Sequence, residues 1–162
     1  MQLTLDCLAN HREFIPQLAA WSYAEWRHVY DQCGLTFGDA IPAFHRRAKT
    51  DALPLTIVAI ADGAVVGTGA LKADDLPPRA HLTPWLAGIF VAREHRGRGI
   101  ASAIIDRLLD EARRLRLPRL YLWTNSAASL YAKLGWRDFE KLEYCGQEIS
   151  VMVRQLEPMA KL

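Results

Sequence analysis

From Trp85 to Leu115 an apolar run, a turn of arginine and glycine and a long amphipathic stretch follow one another without interruption. This succession constrains the chain most. Trp85 to Ala92 reads as a buried strand, bounded by the charged turn that follows it. Ala101 to Leu115 then places Ile104, Ile105, Leu108, Leu109, Ala112 and Leu115 on one helical face, with arginines and acids on the other. Pro118 stops that helix, and Leu120 and Leu122 make Arg119 to Thr124 the next strand.

The rest of the chain supplies further layers. Gln2 to Leu8 alternates Leu3, Leu5 and Cys7 with polar residues, as a half-buried strand does. Phe14, Leu18, Trp21, Trp26 and Val29 recur at helical spacing between Glu13 and Tyr30, which puts Trp21 and Trp26 in a core. A second helix is expected from Asp39, as its N-cap, through Phe44 to Lys49. Leu55 to Ile60 and Ala64 to Gly67 flank Asp62-Gly63, a strong hairpin signal. Asp74 to Arg79, with Pro77 and Pro78, is a loop. Ser126 to Lys133 reads as a short helix closed by Gly135, and Asp138 to Leu156 as two strands turning at Cys145-Gly146. The expected order is β-α-α-β-β-β-α-β-α-β-β. It makes a single α/β domain over residues 1–162, a mixed sheet with helices on both faces.

At 162 residues one sizeable core is enough to hold such a sheet. The net charge of +2 argues for neither nucleic acid nor membrane as a partner. Charge is concentrated locally instead: Arg93 to Arg119 holds eight arginines against Glu94, Asp106, Asp110 and Glu111. Those acids interrupt the arginine face, and no interleaved aromatics offer base stacking, so nucleic-acid binding is not expected. Cys7, Cys33 and Cys145 are too far apart for a zinc site or a disulfide framework; no metal is expected, and a reducing compartment is. The start of the sequence lacks the pattern of a secretory leader, and its apolar runs are too short to span a bilayer, so a cytoplasmic location is expected.

Arg96-Gly97-Arg98-Gly99-Ile100-Ala101 is the segment that points to chemistry. The first amides of a helix lack internal partners and sit at the positive end of its dipole. Gly97 and Gly99 let the backbone approach an anion closely, and Arg96 and Arg98 add donors suited to phosphate oxygens. The turn is not a P-loop, which needs a Gly-Lys-Ser/Thr ending. Nor is it a dinucleotide fingerprint, because Ser102 stands where the third glycine would be.

The six residues resemble the Arg/Gln-x-x-Gly-x-Gly/Ala signature of the GNAT acetyltransferase superfamily, with Ala101 in the last position. A second block, Ala128-Ser129-Leu130-Tyr131-Ala132-Lys133-Leu134-Gly135-Trp136, resembles the superfamily's Ala-x-x-Leu-Tyr-x-Lys-x-Gly-Phe stretch. The resemblance implies a coenzyme A pyrophosphate on the turn, and a pantetheine arm paired with the backbone of Ile89, Phe90 and Val91 where two parallel strands splay apart. It also implies an amide there that polarises the thioester carbonyl, and Tyr131 as the acid that protonates the leaving thiolate. The implied reaction is transfer of an acetyl group from acetyl-CoA to a primary amine of a small molecule or peptide, in a ternary complex. A non-catalytic acyl-CoA-binding module on the same fold is the alternative, and a homodimer is left open.

Two positions depart from the pattern. The superfamily's cofactor-contacting Asn falls on Thr124, with Asn125 one residue later, so Asn125 is either a contact or a turn residue and N-cap. No general base is assigned; Glu25, Asp74, Asp75 and His81 are candidates by position only. Trp21, Trp26, Trp85 and the Pro77-Pro78 loop fall in the regions that, by resemblance, shape the acceptor site.

Overall fold

Period-two patterning sorts the strand side chains to two faces, and helices cover both. The computed structural model describes residues 1–157. Its strands are β1 (Leu3–Cys7), β2 (Leu55–Ala61), β3 (Ala64–Lys72), β4 (Trp85–Val91), β5 (Arg119–Thr124), β6 (Arg137–Tyr144) and β7 (Gln147–Gln155). They form one sheet in the order β1-β2-β3-β4-β5-β7-β6, antiparallel throughout except for the parallel pair β4–β5. The helices are α1 (Ile15–Glu25), α2 (Arg27–Gln32), α3 (Phe37–Arg46), α4 (Ile100–Arg114) and α5 (Ala128–Lys133). The mixed sheet with helices on both faces matches the expected architecture, and the element order differs only by one additional helix between β1 and β2.

On one face α4 sets Ile100, Ile104, Ile105 and Leu108 against Ile57, Ala59, Val66 and Leu86, with Leu120 and Leu122 from β5. On the other, α1 and α3 bring Leu18, Ala19, Ala40 and Phe44 onto Val58 and Val65. Alternate residues of β5 therefore divide: Tyr121 joins a third cluster with Trp85, Ile149 and Val151 under the β3–β4 connection. The hairpin at Asp62-Gly63 has both central residues at positive φ, 53° and 79°, as a two-residue turn between twisted strands requires.

Two helix expectations are corrected. The stretch from Glu13 to Tyr30 is not one helix: it breaks at Trp26, whose ψ of 32° leaves the α region between α1 and α2. No Gly or Pro marks that break. The next helix is capped three residues earlier than expected. Thr36 is the N-cap of α3, and Asp39 is its capping-box partner, accepting from the Thr36 N–H at 2.8 Å. Among the described residues no helix is long and apolar enough to cross a membrane.

Candidate active site

The site starts from a break in sheet pairing. β4 and β5 pair only at Trp85 and Tyr121, where the Tyr121 N–H reaches Pro84 O at 2.9 Å. Beyond that point β4 turns away. The cause is a bulge: three steps on β4, from Ala87 to Phe90, face two on β3, from Thr68 to Ala70. Gly88 supplies the extra residue at φ +64°, a conformation that costs glycine little. Past the bulge one edge of β4 remains paired with β3, through Ala92 N–H to Val66 O at 2.9 Å. Strand alternation therefore turns the peptide groups of Val91 toward the opened gap.

The expected anion turn lies at the end of this gap. Gly97 and Gly99 both adopt positive φ, 75° and 79°, and a Cβ at either would meet no atom within 4 Å. The backbone there faces open space. The helix α4 has no side-chain cap, and its first internal bond from outside is Ala103 N–H to Gly99 O at 3.1 Å. Among the described residues the amides of Gly97 to Ser102 have no acceptor. Unpartnered donors at the positive end of a helix dipole are what backbone recognition of an anion requires.

A cleft of about 360 Å³ gathers most of the expected residues: Ile89 to Val91, Arg96, Gly97, and Gly99 to Ala101 line it. Arg96 is tied back to the strand. Its Nε donates to Val91 O at 2.8 Å, and its guanidinium lies 5.4 Å from the centre of the Phe90 ring. That bond occupies a carbonyl on the open edge and fixes where the turn begins. Arg98 is exposed and does not line the cleft. Most of the arginine excess on α4 is committed elsewhere. Arg107 and Arg114 hold the buried Glu111 at 3.1 and 2.7 Å, and Arg113 holds Asp110 at 3.4 Å.

Asn125 and Tyr131 also lie outside that lining. Asn125 is exposed and donates to Gln147 Oε1 at 2.7 Å, which ties β5 to the start of β7. Thr124 shapes the turn that follows, its Oγ1 accepting from the N–H groups of Ser126 and Ala127 at 3.3 and 3.0 Å, while α5 begins from Ala127 without a side-chain cap. Tyr131 packs on the α4-side core with its ring edge-on to Trp136, centroids 6.1 Å apart. Burial pushes its phenol above the ordinary value of 10, so it holds its proton at every physiological pH. Sequence reasoning missed His95, which lines the cleft from the one-turn segment Arg93–His95 and has a buried Nδ1 without a partner.

A second cavity, of about 470 Å³, reaches β4 at Ala87 and Gly88, on the near side of the bulge. Trp26, Tyr30, Trp123 and Tyr144 wall it, and Pro77 and Ala80 form part of its rim. Trp26 is thus a cavity residue and not the core residue its spacing implied. Trp21 is half-buried against Phe90, ring centroids 5.2 Å apart. Trp85 is fully buried, its Nε1 donating to Leu82 O at 2.7 Å, and forms no part of the cavity. Of the acids, Glu25 lines the first cleft, while Asp74 and Asp75 line the second cavity. Asp75 is paired with Lys72 at 3.0 Å. His81 is exposed and lines neither space.

The sequence model of the acetyltransferase (GNAT) family matches residues 15–136, and the chain belongs to that family. Its fold is that of solved structures of low identity. An N-acetyltransferase from Staphylococcus aureus Mu50 superposes with a TM-score of 0.74 at 20% identity, covering 97% of this chain and 100% of that one. YncA, a putative acetyltransferase from Salmonella typhimurium with its cofactor acetyl-CoA, gives 0.71 at 16% identity over 100% and 98% of the two chains. N-acetylglutamate synthase from Neisseria gonorrhoeae, complexed with coenzyme A and N-acetyl-glutamate, gives 0.69 at 16%, covering 97% of this chain and 36% of that one. No curated protein matches the sequence.

Proposed function

We propose that this acetyltransferase-family chain transfers the acetyl group of acetyl-CoA to a primary amine of a small molecule or peptide, by direct attack in a ternary complex. The observation that carries the reading is the run of unpartnered amides from Gly97 to Ser102, beside an edge of β4 that β5 has left open. A pyrophosphate suits the first, and an extended amide-containing arm suits the second. Acetyl-CoA brings both, together with an activated thioester.

Each residue then has a role. The amides of Gly97, Arg98, Gly99, Ile100 and Ala101 hold the pyrophosphate, and Arg96, through its bond to Val91 O, sets the distance between turn and strand. Arg98 adds positive charge from outside the cleft, where it draws the anion in. Ile89, Phe90 and Val91 line the arm, and the Val91 N–H, turned to the gap, polarises the thioester carbonyl. Tyr131 keeps its proton for the departing sulfur. Asn125 acts at one remove, holding β5 to β7 through Gln147. The amine enters from the 470 Å³ cavity, which meets β4 at Ala87 and Gly88, next along the strand from the Ile89 to Val91 lining of the cleft.

The test is to incubate the protein with acetyl-CoA and a panel of amines and peptides while following thiol release. Release that depends on the amine, with acetylated amine found by mass, is the expected result. Tight acetyl-CoA binding without release for any acceptor would favour the non-catalytic binding module.

A further inference from the structure

Arg47 is the C-cap of α3, where the chain leaves the helix for the segment before β2. Its guanidinium lies 4.9 Å from the centre of the buried Phe44 ring, stacked on it. It lines the 470 Å³ cavity and also the narrow crevice beneath it that runs to Thr68, Gly88 and Phe90. Arg47 therefore stands at the inner end of the cavity, beside the bulge of β4. Yet among the described residues its side chain has no hydrogen-bond acceptor and no carboxylate within 4 Å. Other inward arginines have side-chain or carbonyl partners: Arg79 has Glu140, and Arg107 has Glu111 and Leu5 O.

No other charge on the cavity pairs directly with Arg47. Asp39 is committed to Thr36, and Asp75, whose field favours the Arg47 cation from a distance, is bonded to Lys72. Asp74 is exposed, and Arg46 adds a second positive charge. Tyr30 is bonded to Ser22 at 3.0 Å. Burial opposes the charge on Arg47, displacing its guanidinium below the usual arginine range, but a guanidinium in a protein stays protonated. A half-buried cation whose donors open onto a mostly apolar cavity with no protein partner suits an anion, which forms stronger charge-assisted bonds than water does. The other walls are apolar or aromatic: Val29, Leu76, Trp26, Trp123 and Tyr144.

We propose that the acceptor is an amine that also carries a carboxylate and a large apolar side chain, as an apolar or aromatic amino acid does, and that Arg47 pairs with that carboxylate. The proposal rests on the acetyl-transfer reading for its chemistry, though the anion site itself does not. Pairing at Arg47 fixes one end of the acceptor beside β4, the apolar side chain fills the aromatic-walled volume, and Asp74 suits the incoming ammonium. Selectivity follows from the fork of free donors, which an amine lacking the carboxylate leaves unsatisfied.

The experiment uses matched pairs: L-phenylalanine with 2-phenylethylamine, and L-leucine with 3-methylbutylamine. Thiol release from acetyl-CoA gives kcat/KM for each. Tryptophan fluorescence, which senses Trp26 and Trp123, gives a Kd for each in the presence of coenzyme A. At least a tenfold preference for the amino acid is expected in one pair or both. Arg47→Gln, with an unchanged melting temperature, removes most of that preference through KM, and Arg47→Lys restores part of it. Equal binding of both members of each pair, or an equal loss for both in Arg47→Gln, overturns the proposal. Preferential binding without thiol release upholds the anion site and refutes acetyl transfer. Thiol release without preference does the reverse.

Discussion

The two spaces that meet at β4 are made of different material. The cleft on the far side of the bulge is built from main chain: an open strand edge and six helix-start amides within one continuous stretch, Ile89 to Ser102. The cavity on the near side is built from side chains delivered by α1, α2, α3, the β3–β4 connection, β5 and β6. In the proposed function the first recognises what an extended phosphorylated ligand always offers, and any sequence that keeps the conformation keeps the site. The second can change one wall at a time without disturbing the first. This division lets one fold hold a constant donor while its acceptor varies.

Substitutions should separate the two spaces. The largest effect is expected from Tyr131→Phe, which removes a proton donor while sparing the ring that packs on Trp136. Turnover should fall by about 10²–10⁴, with the acetyl-CoA Kd within about twofold of wild type. Full activity across pH in that variant contradicts the acid role. Gly99→Val comes next, because a β-branched residue at φ +79° strains the turn by ~1–3 kcal/mol. Calorimetry should show acetyl-CoA binding weakened about ten- to a hundredfold, with fluorescence-detected acceptor binding retained. Equal loss of both would mean that the two spaces are one.

The smallest effect concerns the rim of the 470 Å³ cavity. Arg79 clamps the segment Pro77–Arg79 to β6 through a two-pronged bond to Glu140, at 2.7 and 2.5 Å. That bond holds the Glu140 carboxyl below its ordinary value of 4.5. A depressed carboxylate contributes its stability above the unfolded value and loses it as pH falls through the folded one. Melting temperature should therefore drop on acidification below pH 4.5, and drop slightly less in Glu140→Gln. The pair is only partly buried at the surface, so the difference is small and shrinks with added salt. Identical acid profiles for the two proteins would remove the clamp from the account.

The same division decides how much could be read from the sequence. Arg96 to Ala101 was legible because backbone recognition demands particular residues at fixed places, here glycines at positive φ before a helix. Asp62-Gly63 and the apolar face of α4 were legible for the same local reason. Gly88 was not: it sits inside an apolar run, and only its pairing with β3 reveals the bulge. Trp26 followed helical spacing, but the helix breaks there without a breaker residue, and its indole faces the cavity. Asn125 could be read only as a contact or a turn residue, and its bond to Gln147 across to β7 is a long-range contact that local sequence does not show. Arg47 carried no signal at all. Its significance lies in partners it lacks, which is a property of three dimensions.

The central claim is that acetyl-CoA lies on the main chain of Ile89 to Ser102. Amide hydrogen exchange with and without acetyl-CoA tests it most directly, because the amides concerned are free in the protein alone. Strong new protection in peptides spanning residues 89–103, with little change along the arginine-bearing face of α4 near Arg107 to Arg114, is the predicted result. Protection confined to the acceptor cavity or to that arginine face, with Gly97 to Ser102 exchanging as before, would contradict it.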